Sequence, residues 1–267
     1  MLVISSKEND TIKRIKKLKE KKYRDEFSKY IIEGIKIVYE AIENNADIDS
    51  IIICEELLNN NSTNSQLSDL KNKLNQIGED KKIYVTEEII KLLSDVVNPQ
   101  GIIAIIKKDS NFEIDYSKDL ILVLDNIQDP GNLGTIIRTA DSCNLNQIVI
   151  TKETADPYNS KVLRSTMGAI FRVKIIESED IVKKLIEMKE KGFEIVTTSL
   201  QTDNLIYDID YNKKVVIIGN EANGVEKSVE DISDIKVKIP MLGKTESLNA
   251  SVATGIILYE YVRKKIK

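Results

Sequence analysis

Leu120-Ile-Leu-Val-Leu-Asp-Asn-Ile-Gln-Asp-Pro-Gly-Asn-Leu-Gly-Thr-Ile-Ile-Arg-Thr139 begins as a strand and ends as a helix. Its first five residues are an unbroken apolar run, as expected of a strand buried on both faces. Pro130-Gly131 predicts a tight turn, Asn132 is placed to cap the next helix, and Arg138 follows about two turns in. Strand-like and helical runs then alternate to the C-terminus at 147–151, 160–170, 172–176, 181–190, 193–198, 215–219, 235–239 and 249–264. Such alternation predicts an α/β fold with a parallel sheet flanked by helices. Ligands of such sheets sit at the loops after the strand C-termini, here 125–134, 219–224 and 240–249.

Upstream, Ile12, Ile15 and Leu18, then Ile31, Ile35, Val38, Ala41 and Ile42, predict two helices joined near Phe27-Ser28. Short β-branched runs at 51–53, 83–85 and 101–106 predict strands, residues 59–66 a polar surface loop, and Thr86 the cap of a helix. Residues 109–119 break the periodicity. The expected organisation is therefore a small α/β domain over 1–108, a linker over 109–119 and a larger domain over 120–267.

The 267 residues include no histidine, no tryptophan and two cysteines, Cys54 and Cys143. Histidine-based nucleophilic sites and proton shuttles are excluded, as is a four-ligand zinc or iron–sulfur site built from this chain's thiols alone. The formal net charge of −4 is unevenly spread: residues 1–36 hold eleven Lys and Arg against six acids, leaving −9 elsewhere. The basic start is either a solvated helix surface in a lysine-rich protein or an RNA contact. No apolar h-region follows the opening MLVISSKEND, and no apolar run approaches the ~20 residues that span a bilayer, so a cytoplasmic protein without a membrane span is expected.

The three loops carry the chemistry. In the first, a helix start with a nearby arginine suits a phosphate, or is simply a helix start with a surface arginine. The second, Gly219-Asn-Glu-Ala-Asn-Gly224, adds a carboxylate that an ordinary turn does not require. The third contains Gly243-Lys244-Thr245, but a P-loop needs glycine where Lys238 stands, and no Gly-x-Gly-x-x-Gly follows a strand. A phosphate-binding hydrolase on a doubly wound sheet is therefore unsupported.

Together the loops resemble the SpoU (TrmH-like) family of the SPOUT superfamily, RNA 2′-O-ribose methyltransferases that use S-adenosylmethionine. The resemblance runs from Leu120 to the C-terminus through Asn126, Asp129-Pro130, Asn132, Gly134 and Arg138-Thr139; Gly219-Asn-Glu221 and Gly224; and Ile239-Pro-Met241, Gly243, Ser247-Leu-Asn249 and Ser251. Residues 160–173 are similar to the segment between the family's motifs. Ala222 and Ala250 depart from its pattern, where glycine and a β-branched residue are more usual. Lys22-Tyr-Arg24, Phe27 and Ile32-Glu-Gly34 resemble the start of an N-terminal α/β domain related to RNA-binding ribosomal proteins.

The resemblance implies a C-terminal trefoil knot, a homodimer, and a cofactor pocket lined by backbone at Gly219, Ile239 and Leu248. It assigns catalysis to Arg138 with Asn132, Glu221, Ser247 and Asn249, no metal, and ribosomal RNA as substrate. Lys16, Lys17, Lys21 and Lys22 are the candidate RNA contacts. The alternative is a non-catalytic RNA-binding or ribosome-assembly factor on the same fold.

Overall fold

A computed structural model describes residues 3–60, 65–109 and 112–266 of the chain. They fall into two compact units, Met1–Ser110 with Tyr158–Phe171, and Asn111–Pro157 with Arg172–Lys267. No helix among the described residues is long and apolar enough to cross a membrane.

The first unit runs β1 (Val3–Ile4), α1 (Asp10–Lys17), α2 (Lys21–Phe27), β2 (Lys29–Glu33), α3 (Ile35–Glu43), β3 (Ile48–Ile53), α4 (Glu55–Asn60), α5 (Leu67–Leu74), β4 (Lys82–Val85), α6 (Glu87–Leu93) and β5 (Ile102–Lys107). Its sheet has the order β1-β4-β3-β5-β2, with β5 antiparallel to both neighbours. Ile12, Ile15 and Leu18 are buried against it as the helical spacing requires. The second predicted helix starts later than expected, because residues 29–33 are a strand. Ser28 ends α2 in the left-handed region (φ 49°), and Tyr30 and Ile32 then alternate inward while pairing with β5. Of the polar loop expected at 59–66, Asn59 and Asn60 instead end α4, and residues 61–64 lie outside the described residues.

The second unit begins earlier than a free linker would allow. Asp115 N donates to Gln147 Oε1 at 2.8 Å, Gln147 Nε2 returns to Asp115 O at 3.0 Å, and Ile114 and Tyr116 pack on the core. The chain continues as β6 (Leu120–Leu124), α7 (Pro130–Ser142) and β7 (Gln147–Thr151). It then enters the first unit as α8 (Ser160–Thr166), although the sequence places these residues with the larger domain. The Tyr158 ring, 4.5 Å from that of Tyr30 and capped by the Lys108 ammonium at 4.8 Å, accounts for the difference. Back in the second unit follow β8 (Lys174–Ser178), α9 (Ile181–Glu190), β9 (Glu194–Thr198), β10 (Lys214–Ile218), α10 (Lys227–Glu230), β11 (Ile235–Val237) and α11 (Ala250–Lys265).

These six strands form one parallel sheet in the order β11-β9-β10-β6-β7-β8. Every residue of β6, β7 and β10 is buried, so both faces are covered. Ile121, Val123, Val149, Ile195, Val215 and Ile217 meet Leu185 and Met188 of α9 and Val229 of α10 on one face. The alternate residues point to the other face, where α7 and α11 pack on each other. All strands therefore present their C-terminal ends to the same edge, and the three loops gather there.

Thr197, on β9, is fully buried and its hydroxyl is without a hydrogen-bond partner among the described residues. A buried hydroxyl left unpaired costs about 1–3 kcal/mol, so Thr197→Val is expected to raise the free energy of unfolding in urea by about 1 kcal/mol. A loss of stability in that measurement would show that the hydroxyl is bonded in solution.

Candidate active site

The first loop turns at once. Asn126 adopts the left-handed region (φ 58°), which asparagine tolerates. Its N–H donates to Thr151 Oγ1 at 2.9 Å and its carbonyl accepts from Asn220 Nδ2 at 2.8 Å. The helix cap is Asp129, whose carboxylate accepts the Asn132 N–H at 2.8 Å, with Pro130 in the first helical turn. Proline fits there because its fixed φ is helical and its missing N–H would be unbonded anyway. Asn132 is thus the capped residue and not the expected cap, and its side chain is left to bond elsewhere.

Asn132 Nδ2 donates to Glu221 Oε1 at 2.9 Å, while Asn132 Oδ1 accepts from Asn249 Nδ2 at 2.9 Å. Asn249 is itself the cap of α11, its Oδ1 accepting from Ser251 N at 2.9 Å and Val252 N at 3.3 Å. Gln128 N adds a long contact to Glu221 Oε2 at 3.5 Å. A single relay therefore ties loop one, loop two and loop three together.

Loop two is folded on itself. Asn220 and Gly224 exchange backbone hydrogen bonds of 2.8 and 2.9 Å, and Asn220 Oδ1 accepts the N–H groups of Ala222 and Asn223. A Cβ on Gly219 would lie 2.2 Å from the backbone of Gly224 and Val225. Glycine at 219 is thus required by the chain's own turn, a reason apart from the cofactor contact that the resemblance implies. Ala222 lies outside the positive-φ region, so its methyl group is tolerated.

Asp125, at the end of β6, is only 3% exposed and accepts the Glu226 N–H at 2.7 Å. Burial pushes its carboxyl pKa up, and nearby Glu226 and Glu153 add to that shift against the backbone hydrogen bond. Asp125 and Asn220 join the two loops from below; Asn220 belongs to the second motif read in the sequence, whereas Asp125 was not singled out there. The available signal was a carboxylate closing an otherwise apolar strand.

Of the expected site residues, Asn132, Glu221 and Asn249 are brought into contact, with Gly219 and Leu248 beside them in the chain. Arg138 and Ser247 are exposed and their side chains make no hydrogen bond or ion pair among the described residues, and Ile239 follows β11, half-buried. Residues 239–248 donate no backbone hydrogen bond among the described residues. Amides without a protein acceptor in an exposed loop are open to solvent or to a ligand. The four lysines expected to contact RNA are all exposed, and Lys17 and Lys22 place their ammonium groups 5.1 and 5.6 Å from the Tyr23 ring centre.

The family model described as SpoU rRNA Methylase family matches residues 119–259, and that of an MRM3-like substrate binding domain matches residues 9–104. The chain is similar to the 23S rRNA (guanosine(2553)-2'-O)-methyltransferase RlmP of Bacillus subtilis (strain 168), at 30% identity over 97% of this chain and 98% of the relative. It is also similar to the 23S rRNA (guanosine-2'-O-)-methyltransferase RlmB of Xylella fastidiosa (strain 9a5c), at 31% identity over 88% and 96% of the two chains. An AdoMet-bound rRNA methyltransferase from Sinorhizobium meliloti has the same fold, with a TM-score of 0.83, 28% identity and coverage of 100% of this chain and 98% of that one.

Proposed function

The chain belongs to the SpoU rRNA methylase family, and from that we propose that it methylates a ribose 2′-hydroxyl of ribosomal RNA with S-adenosylmethionine as donor. The observation that carries this reading is the Asn249–Asn132–Glu221 relay, which joins three motifs separated by up to 117 residues. The residues fit the cofactor: half-buried Ile239 and Leu248 offer apolar cover, and the unbonded amides of 239–248 offer hydrogen-bond donors. Gly219, Ile239 and Leu248 would hold it. When bound, the cofactor supplies a sulfonium methyl group, so the protein needs neither a metal nor a nucleophile of its own.

The protein's task is alignment and removal of one proton. Arg138 carries a guanidinium unclaimed by any acid among the described residues, which suits it to the forming alkoxide and an adjacent phosphate. A guanidinium does not act as a base near neutral pH. Glu221 is the carboxylate of the relay, and beside the Asn132 and Gln128 contacts two of its lone-pair directions remain open among the described residues. Ser247 would position the ribose from loop three.

Three further features belong to this reading. The substrate-binding match supports RNA contact by the first unit, with Lys16, Lys17, Lys21 and Lys22 as its cations. A trefoil knot is supported by the chain path: from β10 it passes beyond β9 to edge strand β11, then doubles back to α11, whose Lys264 donates to Tyr207 O at 2.8 Å in the β9–β10 connection. A homodimer is supported by Val252, Tyr259 and Ile266, exposed at seven-residue intervals along and just past α11.

Arg138→Lys keeps the charge but loses the planar fork. Its turnover in radiolabelled methyl transfer to unmodified 23S rRNA is expected to fall by at least about tenfold, with calorimetric cofactor affinity unchanged; normal turnover would remove the guanidinium role. Charge reversal at Lys16, Lys17, Lys21 and Lys22 together should weaken RNA binding and flatten its salt dependence, and binding unchanged across salt would make that surface a solvated helix pair. Tyr259→Glu should convert the dimer to a monomer in sedimentation, whereas an unaltered mass would place the interface elsewhere.

A further inference from the structure

Cations in the second unit are almost all occupied. Lys214 sits between Glu194 at 2.6 Å and Asp210 at 3.1 Å, Arg172 reaches Asp141 at 2.9 Å, Lys189 meets Asp234 at 2.8 Å, and Lys265 meets Asp119 at 2.6 Å. Lys213 donates to Tyr116 O and lies 4.6 Å from the Phe193 ring centre. Among the described residues of this unit, only Arg138, Lys152, Lys183 and Lys244 have side chains with no acidic, carbonyl or ring partner.

Two of these lysines lie on segments bonded into the site. Lys152 follows β7 in a turn held against loop one, where Thr151 Oγ1 accepts from Asn126 N at 2.9 Å and Ala155 N donates to Ile127 O at 2.8 Å. Lys244 is midway along the loop that ends at Asn249, the donor to Asn132. Both are exposed, as are their neighbours Glu153 and Glu246, and neither lysine pairs with either acid. Lys183 stands apart on α9, to which none of the site's hydrogen bonds extends.

At the other described cations of the unit, Arg138 and Lys183 aside, an RNA phosphate would have to compete with an internal carboxylate, carbonyl or ring. At Lys152 and Lys244 it would release only counterions, the favourable term in binding a polyanion. We propose that these two lysines bind phosphates of the RNA strand that flank the ribose being methylated. The proposal rests on the methyltransferase reading, because it is that reaction which brings a ribose and its neighbouring phosphates to these loops.

The test measures binding of an unmodified 23S rRNA transcript at increasing potassium chloride, for the wild type, Lys152→Gln, Lys244→Gln, the double variant and Lys183→Gln. Each site-loop variant is expected to raise the RNA Kd about threefold to tenfold and to flatten the slope of log K against log salt by about 0.7. Lysine-to-arginine versions should restore both, cofactor affinity should hold, and Lys183→Gln should bind RNA as the wild type does. Wild-type affinity and slope in the double variant, or an equal loss with Lys183→Gln, would overturn the proposal. Methyl transfer to the same transcript separates the two ideas. An active wild type beside an unaltered double variant defeats only the phosphate contacts, whereas a wild type that transfers no methyl group to ribosomal RNA defeats the methyltransferase reading itself.

Discussion

A carboxamide has one donor end and one acceptor end, and Asn132 uses both. Its nitrogen faces Glu221 and its oxygen faces Asn249, so the polarity of the relay is set by the carboxylate at one end. Neither aspartate, which lacks the donor, nor leucine of similar volume could stand in. The contacts are partly solvated and stabilise the fold weakly, at about 1 kcal/mol each. Their consequence is geometric: three loops meeting at one sheet edge are held in one register.

That register depends on a second layer below. Asp125 holds the N–H of Glu226, Asn220 holds the carbonyl of Asn126, and Thr151 receives the Asn126 N–H. Each bond runs between the ends of neighbouring parallel strands, β10 to β6 and β6 to β7. Burial makes these bonds costly to leave unmade, whereas the relay above them is open to water. A rigid base therefore carries a site that is itself exposed, as a site for a macromolecular substrate must be.

Much of this was legible in the chain, for identifiable reasons. The continuous apolar run 120–124 announces a parallel strand because both its faces are covered, and the polar residues after it fall at the sheet's C-terminal edge. The strand at 29–33 was hidden because Ile31 falls in step with a helical stripe, and only the left-handed Ser28 breaks the helix before it. Residues 158–171 read as part of the larger domain from the order of motifs, yet they pack with the first unit through a tyrosine pair. Their partner is 128 residues away, and no local pattern reports it. Within the site, residue types were readable but bond directions were not: Asn132 looked like a cap because asparagine often is one, while Asp129 already occupied that position.

The charge distribution raises a different question, since a protein of net charge −4 must approach a polyanion. Net charge is a poor guide here, because at physiological salt a phosphate feels charges within about 8 Å and little beyond. What matters is how many cations near the site remain unclaimed by the protein itself. Among its described residues the second unit claims nearly all of its cations through ion pairs, carbonyls and rings, and of the four it leaves unclaimed only Lys183 lies away from the segments that carry the relay. Pairing elsewhere also penalises binding in the wrong place, because a phosphate must there compete with an existing partner. Specificity of position can thus come from neutralising the rest of the surface as much as from placing lysines at the site.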